Sequence, residues 1–585
     1  MCGIAGVFSP NDTLEYCIVN QDKLFQGINH RGPDGSGLIK NGNSYVLYHT
    51  RLSIVDLTEQ GSQPLTSFND RFVLVYNGEV YNYKELGKRC SVELELETVS
   101  DTRVVLEYIS EFGLDDFLNR AQGMWAFCVY DKMQKSLTLV RDISGQKPLY
   151  YFFHDENIIF SSTITSLIQA KNESISDNHI YEFINTGSVN FTDIGIESLL
   201  PGSFLQFDRI QNKYIKHQYF SLTAVRSSTS TVENLESLLV KHTEWLLRSH
   251  VPVGVFLSGG IDSTLLAALL NKSGTNNLIS AYSVSFDSND FDESNHAIKS
   301  AKTLGIPLEL VHLDSSCITT FFSEVNFDNL DFIGDTSFLP TYFLSKAAGR
   351  DVKVVLTGDG GDEIMGGYNR HIFAYDKSIK YQILRVVIKF FKFTHIFMSS
   401  IASLVGKEQL RRKIDKAFNS KSSFNGANHS SLDEFGFSDL MARDFIYYLP
   451  TVLSKVDSAT MYHGIEARTM YLNQEIVDFC FKLNLSQLFG GGAGKKLFRK
   501  ILRNYGIVIS KRKMGFTPPL HSWFTNDLII WLRDEWESLD MRVKDVLRKK
   551  KIYIDINSKI ESKDVEIIWR VLYMNYKLKN LNNER

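Results

Sequence analysis

No C-x-x-C pair occurs anywhere in the 585 residues, and the six cysteines (Cys2, Cys17, Cys90, Cys128, Cys317 and Cys480) stand far apart. That argues against a zinc site or a disulfide framework, and for a reducing, cytoplasmic setting. An excess of one charge sign is also missing. Lys and Arg number 64 against 67 Asp and Glu, a net charge of -3, so nothing points to nucleic acid and no acidic tail is visible. The start has no basic stretch followed by an apolar one, so no secretory signal is expected. Nor is any long apolar run free of charge. The richest, 383–405, is interrupted by Arg385, Lys389, Lys392 and His395. No membrane span is therefore expected there; a buried amphipathic helix is, with a membrane-surface helix as the alternative. A G-x-x-x-x-G-K-[ST] loop is absent too, since Gly494-Lys495 lacks both the first Gly and the final Ser or Thr.

What is present is ordinary in bulk. A hydrophobic fraction of 43% and a charged fraction of 22% fit a soluble globular protein, and the length calls for two or more domains. The detail is less ordinary. Cys2 directly follows Met1 in Met1-Cys2-Gly3-Ile4-Ala5-Gly6. Removal of the methionine would leave a thiol and a free α-amine on one residue, a nucleophile carrying its own general base. Alone, the same cysteine fits a small buried apolar position equally well.

Short apolar runs follow at Ile4 to Phe8, Ser44 to Tyr48, Phe72 to Tyr76, Met124 to Tyr130, Ser136 to Val140 and Ile158 to Phe160. They predict stacked sheets rather than a parallel one. Polar clusters lie between them. His30-Arg31-Gly32-Pro33-Asp34-Gly35 is a turn by composition, and Arg51-Leu52-Ser53-Ile54-Val55-Asp56 sets an arginine just past a strand. Tyr76-Asn77-Gly78-Glu79 reads as a tight turn, and by itself Asn-Gly is an ordinary hairpin signal. Ser100-Asp101-Thr102 opens a helix with a capping residue.

The stretch from about Asp208 to Glu233 turns polar and is read as the joint between domains. A helical period runs from Val232 to Leu247. Beyond it an apolar strand, Val253 to Leu257, enters Ser258-Gly259-Gly260-Ile261-Asp262-Ser263 and then a helix, Thr264 to Leu270. Glycines there let the backbone approach closely, and free N–H groups at a helix start favour an anion. Strand-helix alternation continues through Leu278 to Ser285, Ala297 to Thr303 and Leu308 to His312. A further strand, Val352 to Leu356, ends in Thr357-Gly358-Asp359-Gly360-Gly361-Asp362-Glu363. This is α/β logic, with ligands expected at the carboxyl ends of the strands. Asp359 and Asp362 near phosphates suggest Mg²⁺, although alone the segment fits a solvated turn or a calcium-like loop.

Taken together, residues 2–210 resemble the glutaminase domain of class II amidotransferases, N-terminal nucleophile (Ntn) hydrolases with an αββα sandwich. The resemblance rests on MCGIAG, HRGPDG, HTRLSIVDL, YNGEVYNY, SDT, GMWAFCVYD and RD-x-x-G-x-KPLYY. It implies that Cys2 attacks the side-chain amide of glutamine and that Asn77 and Gly78 form the oxyanion hole. It also implies that Arg51 pairs the α-carboxylate, that Asp101 and the Asn77–Glu79 segment hold the α-ammonium end, and that Leu52, Ser53, Ile54 and Val55 belong to the glutamine-binding site. Residues 235–530 resemble the synthetase domain of glutamine-hydrolysing asparagine synthetases, an α/β parallel-sheet ATP pyrophosphatase with added helices. That resemblance rests on SGGIDS, GD-x-S-x-x-PTY, LTGDGGDE-x-x-GGY, KVD, EAR, K-x-x-x-R and KMGF-x-P. By position Leu257 and Val284 flank adenine, Ser258, Gly259, Gly260, Asp262 and Ser263 hold pyrophosphate, and Thr357 and Gly358 contact the nucleotide. Asp262 and Asp362 are the implied Mg²⁺ ligands, and Asp359 and Lys495 the implied catalytic groups. The implied reaction is ATP-dependent amidation of aspartate through an acyl-adenylate, with ammonia from glutamine carried along a shielded path. Homodimers are common in the family. Residues 531–585 are expected to be a helical extension, apart from Ile552 to Ile556.

The acceptor side departs from the pattern. Ser285 stands where glycine is usual, Val456-Asp457-Ser458-Ala459-Thr460-Met461 replaces VDRMSM, and Glu466 to Gln474 reads EARTMYLNQ in place of EARVPFLDH. Amidation of another carboxylate, such as a uronic acid, is thus an alternative acceptor reading. From a different class, an inactive scaffold is disfavoured by the intact Cys2, Arg51, Asn77, Asp101, SGGIDS and Lys495.

Overall fold

The computed structural model describes residues 2–14, 20–94, 100–222, 231–272, 278–287, 292–375, 437–509, 516–557 and 560–583. The expected amphipathic helix at 383–405 and most of the KMGF motif lie outside them. In the first half the strands are β1 (Gly3–Phe8), β2 (Gly35–Asn41), β3 (Tyr45–Arg51), β4 (Leu65–Thr66), β5 (Phe72–Val80) and β6 (Gly123–Asp131). They continue with β7 (Ser136–Arg141), β8 (Tyr150–His154), β9 (Asn157–Ser161), β10 (Glu197–Ser198), β11 (Ser203–Asp208) and β12 (Lys213–Gln218). Among the described residues these form two six-stranded sheets, ordered β10-β8-β9-β1-β3-β2 and β12-β11-β7-β6-β5-β4, with antiparallel pairing throughout.

Alternation along each strand divides its side chains between two cores. Ile4, Leu47, Val73, Val75, Cys128 and Phe160 meet between the sheets. Ala5, Val7, Val46 and Ile159 turn the other way and share a core with Leu167, Ile180 and Phe183 of helices Ile164–Lys171 and Asp177–Thr186. Leu74, Phe127 and Val129 share one with Val104, Val105 and Tyr108 of helix Asp101–Phe112. Helix, sheet, sheet, helix is the expected sandwich.

Two local expectations are corrected. Asn77 and Gly78 do not make a turn; they sit inside β5, which stays in register with β6 from Phe72↔Asp131 to Val80↔Gly123. Glycine is needed at 78 for close approach instead: a Cβ there would lie 2.2 Å from the Met124 carbonyl oxygen. Lys213–Gln218, placed in the polar joint from its composition, is an exposed edge strand paired with β11.

In the second half a parallel sheet is ordered β15-β14-β13-β16-β17, with β13 (Val253–Phe256), β14 (Leu278–Phe286), β15 (Leu308–Leu313), β16 (Val354–Leu356) and β17 (Glu466–Arg468). From β13 the chain builds outward to β15, then returns to add β16 and β17 on the other side. The carboxyl ends of β13 and β16 therefore flank a topological switch point, where open α/β sheets bind ligands. Helix Ile261–Lys272 is buried from Ile261 through Leu270, so it begins three residues earlier than its apolar pattern suggested. The tail forms helices Met541–Lys549 and Val565–Asn583, and Ile552 to Ile556 is not helical. No helix among the described residues is long and apolar enough to cross a membrane.

Candidate active sites

The first site forms where β1 begins beside β5. The Cys2 backbone nitrogen donates to Asn77 Oδ1 at 3.2 Å. Asn77 is fully buried, and its Nδ2 has no hydrogen-bond partner among the described residues. Leaving such a donor unpaired is costly, which points to a ligand acceptor. Among the described residues β4 pairs only with Val73 and Leu74, and no strand covers the rest of that edge of β5. Tyr76 N–H is taken there by Gln63 Oε1 at 2.6 Å, and Val80 N–H by Asp101 Oδ2 at 3.0 Å. Strand alternation sets the Gly78 N–H at the same edge, between those two. Burial pushes the Cys2 thiol up, while the Leu52 backbone and Arg51 act in the opposite direction.

The carboxylates of this site are buried close together. Asp101 starts its helix behind the Ser100 cap, and burial raises it to about 6. Glu79 is raised well above the usual carboxylate range, by burial first and by the Asp101 charge second. Its Oε1 has no hydrogen-bond partner among the described residues. Two such groups without a full counter-charge fit a ligand cation. Arg51 is held by the loop that follows it, donating to Thr58 O at 2.6 Å and to Asp56 O. Leu52, Ile54 and Val55 are buried behind it, and Ser53 N–H donates to Asp34 at 2.7 Å.

The second site lies at the switch point. Gly259 takes a left-handed φ of 71°, and Ser258 folds back so that its Oγ meets Ser263 Oγ at 3.0 Å and accepts from Gly260 N–H at 3.3 Å. Leu257 and Val284 are buried beside this loop, and Thr357 and Gly358 follow β16. The two loops touch: a Cβ on Gly361 would lie 2.5 Å from Asp262 Oδ1. Lys495, in a left-handed backbone at φ 57°, sends its buried ammonium to Asp262 and to Asp362 Oδ1, the latter at 2.6 Å. Non-glycine residues held in that region mark sites whose surroundings fix them. Asp359 is anchored through its carbonyl, which accepts from Thr469 Oγ1 at 2.7 Å.

A glutamine amidotransferase domain model matches residues 1–220, and an asparagine synthase model matches residues 234–577. The chain belongs to the asparagine synthase family. It is a glutamine-dependent amidotransferase ligase that uses ATP. Asparagine synthetase [glutamine-hydrolyzing] 1 of Bacillus subtilis is 27% identical over 583 residues, covering 91% of this chain and 89% of that protein. Asparagine synthetase B of Escherichia coli is 28% identical, covering 63% of this chain and 65% of its own length. A Gibberella zeae protein named "Amidase chry2" is 30% identical, covering 63% of this chain and 60% of its own.

In this asparagine synthase family member the two sites are joined through residues to which sequence reasoning gave no role. Arg468, fully buried, sets Nη2 at 3.3 Å from Glu79 and Nε at 2.6 Å from Glu466. Its own carbonyl accepts from Thr357 N–H at 2.8 Å, so one residue touches both the Glu79 cluster and the loop after β16. Arg31 of HRGPDG donates to the Cys2 carbonyl at 3.3 Å and to Asp457 of KVD at 2.8 Å. The motifs were visible, but a bond between residues 426 positions apart was not. Two departures from the family pattern have local partners as well. Thr469 bonds the Asp359 carbonyl, and Tyr471 donates to the Asp262 carbonyl at 2.8 Å.

Proposed function

We propose that the chain is a glutamine-hydrolysing asparagine synthetase, amidating aspartate through a β-aspartyl-AMP intermediate. The observation that carries this is the Asn77 Nδ2, without a partner among the described residues, beside Cys2, on an element tied by Arg468 to the nucleotide loop. Once Met1 is removed, the Cys2 thiol gives its proton to its own α-amine and attacks the glutamine amide carbon; the C–N bond breaks as the amine passes that proton to the leaving ammonia, and water then hydrolyses the thioester to glutamate. Asn77 Nδ2 and the Gly78 N–H receive the oxyanion, a role in which one donor is worth about 2.7–4 kcal/mol of barrier. Arg51 fits the planar α-carboxylate, with Ser53 nearby, while Glu79 and Asp101 fit the α-ammonium. Ammonia formed there would protonate in bulk water and be lost as a nucleophile, so it must reach the second site under cover.

There the Ser258–Ser263 loop and the start of helix Ile261–Lys272 suit the pyrophosphate of ATP, with Leu257 and Val284 against adenine. Asp262 and Asp362 converge on one ammonium, which makes them a hard oxygen pair suited to Mg²⁺ with phosphate oxygens. When bound, the ion would neutralise phosphate charge. Lys495 and Asp359 then act at the acceptor carboxylate as AMP is transferred and displaced by ammonia.

The acceptor is tested by following pyrophosphate release with ATP, Mg²⁺, glutamine and single acids. Aspartate should give a stoichiometric amide; a product from a uronic acid with none from aspartate would defeat the aspartate assignment. A second test concerns pH. Asp101, raised to about 6, is charged above that value and neutral below it. Glutamine capture through its ammonium should therefore weaken as pH falls. In glutamate-release assays kcat/KM for glutamine should drop as pH falls through about 6, and a flat profile down to pH 5 would remove Asp101 from this role.

A further inference from the structure

Helix Asp177–Thr186 of the glutaminase half ends at Gly187, whose φ is 82°. The Gly187 carbonyl accepts from Gly334 N–H at 2.9 Å. A Cβ on Gly334 would lie 2.4 Å from Gly187 Cα, so the two halves meet here main chain to main chain. Gly334 opens the Gly334-Asp335-Thr336-Ser337 segment of the synthetase half. Asp335 and Ser337 bond the Lys455 ammonium at 3.3 and 2.7 Å, two residues before the Asp457 that takes Arg31.

The C-terminal helix Val565–Asn583 crosses this contact with Arg570, Tyr573 and Lys577, spaced i, i+3 and i+7 on one face. Arg570 donates to Asn185 O at 2.9 Å and Ile184 O at 3.4 Å, carbonyls that the end of a helix leaves open, and to Gly334 O at 3.4 Å. Tyr573 donates to Asp331 O at 2.6 Å. Lys577, fully buried, donates to Thr165 Oγ1 at 2.9 Å and to Phe327 O and Leu330 O, both at 2.6 Å. Asp331 Oδ1 in turn accepts the Ile164 and Thr165 N–H groups, each at 3.1 Å, capping a glutaminase helix with a synthetase carboxylate. A buried ammonium is tolerated only while its donors are met, and these oxygens come from both halves. A small separation of the halves would leave it short of partners, so the arrangement favours a single register. An apolar side chain would fill the same space without that demand.

We propose that Arg570, Tyr573 and Lys577 form a coupling strap. They are positioning residues that hold residues 327–334, and through them the following segment to Ser337, in register with the glutaminase half, so that ammonia made at one site is consumed at the other. This rests on the two-site reading above. The test uses full-length Arg570→Gln and Gly334→Ala, with melting temperature as the folding control. Three rates are compared: glutamine hydrolysis without ATP, ammonia-driven pyrophosphate release, and both products with glutamine as nitrogen source. The separate half-reactions should stay within about twofold of the unaltered protein, while glutamate formed per pyrophosphate rises threefold or more. With ¹⁵N-amide glutamine and unlabelled ammonia in the medium, the labelled fraction of the amide product should fall in parallel. Unchanged coupling and labelling in both folded variants would overturn the strap. An ammonia-driven rate that falls as far as the glutamine-driven one would do so too, placing these residues in the acceptor site. Failure of the unaltered protein to release pyrophosphate with any acid would instead overturn the proposed function beneath it.

Discussion

Replacing Cys2 by alanine should reduce glutamine-dependent amide formation by on the order of 10⁴-fold or more, the scale seen when a covalent nucleophile is removed. Ammonia-driven amidation by the same variant should stay close to that of the unaltered protein. Cys2 is small and stands at the start of β1, where Gly3 N–H is taken by Thr50 Oγ1 at 3.1 Å and Ile4 N–H by Ser162 Oγ at 3.0 Å. Those bonds fix the strand without the thiol, and so does the bond from the Cys2 backbone nitrogen to Asn77. Alanine therefore removes the proposed nucleophile and leaves the β5 edge at Gly78 in place. The synthetase half draws its ligand loops from β13 and β16, in a different sheet. Two assays decide the matter: glutamate release, and pyrophosphate release in ammonium chloride. Loss of both would contradict a division of labour between the halves, and survival of glutamate release would remove Cys2 from catalysis.

The architecture was legible because period-two runs and strand-helix alternation are local signals, and the chain obeys them in both halves. The chemistry-bearing motifs were legible for the same reason: each is contiguous. What escaped was non-local. Asn77-Gly78 looked like a hairpin because that dipeptide favours positive φ, yet here the glycine serves the close passage of β6, and pairing with Ala126 and Trp125 decides the conformation. β17 is three residues, Glu466–Arg468, too short and too charged to read as a strand; its pairing with β16 makes it one. Arg468 and Asp457 acquire meaning only when the two halves meet. The C-terminal helix carried a visible period, but the carbonyls its cations seek are 236 to 386 positions away.

The left-handed backbone at Lys495 was also invisible in sequence, and it bears on the second large effect. Lys495→Met should reduce pyrophosphate release by about 10³-fold with either nitrogen source, about 4 kcal/mol of barrier. Glutamine hydrolysis should persist. The ammonium is nearly buried and bridges Asp262 and Asp362, which stand in the first turns of helices Ile261–Lys272 and Gly361–Met365, after β13 and β16. Its stem is confined as well, since a Cβ on Gly367 would lie 2.3 Å from Lys495 Cε and 1.8 Å from Asp362 Oδ1. The cation is thus delivered along one track to the point where phosphate and acceptor charge would develop. Methionine keeps the length of the stem and removes the charge, leaving two carboxylates facing each other. Breaking a buried pair in this way costs about 3–5 kcal/mol of stability. The melting temperature of the variant should therefore fall, and recover in part with Mg²⁺ and ATP, which restore positive charge between the carboxylates. Lys495→Arg is the discriminating companion. It keeps the charge, but a planar guanidinium does not fit the space left by Gly367, so it should fold better than the methionine variant and remain impaired in pyrophosphate release. Pyrophosphate release within tenfold of the unaltered protein in Lys495→Met would show that the ammonium serves only to separate Asp262 from Asp362. Loss of glutamine hydrolysis together with pyrophosphate release, in a variant that still melts cooperatively, would show that the two sites are not chemically independent.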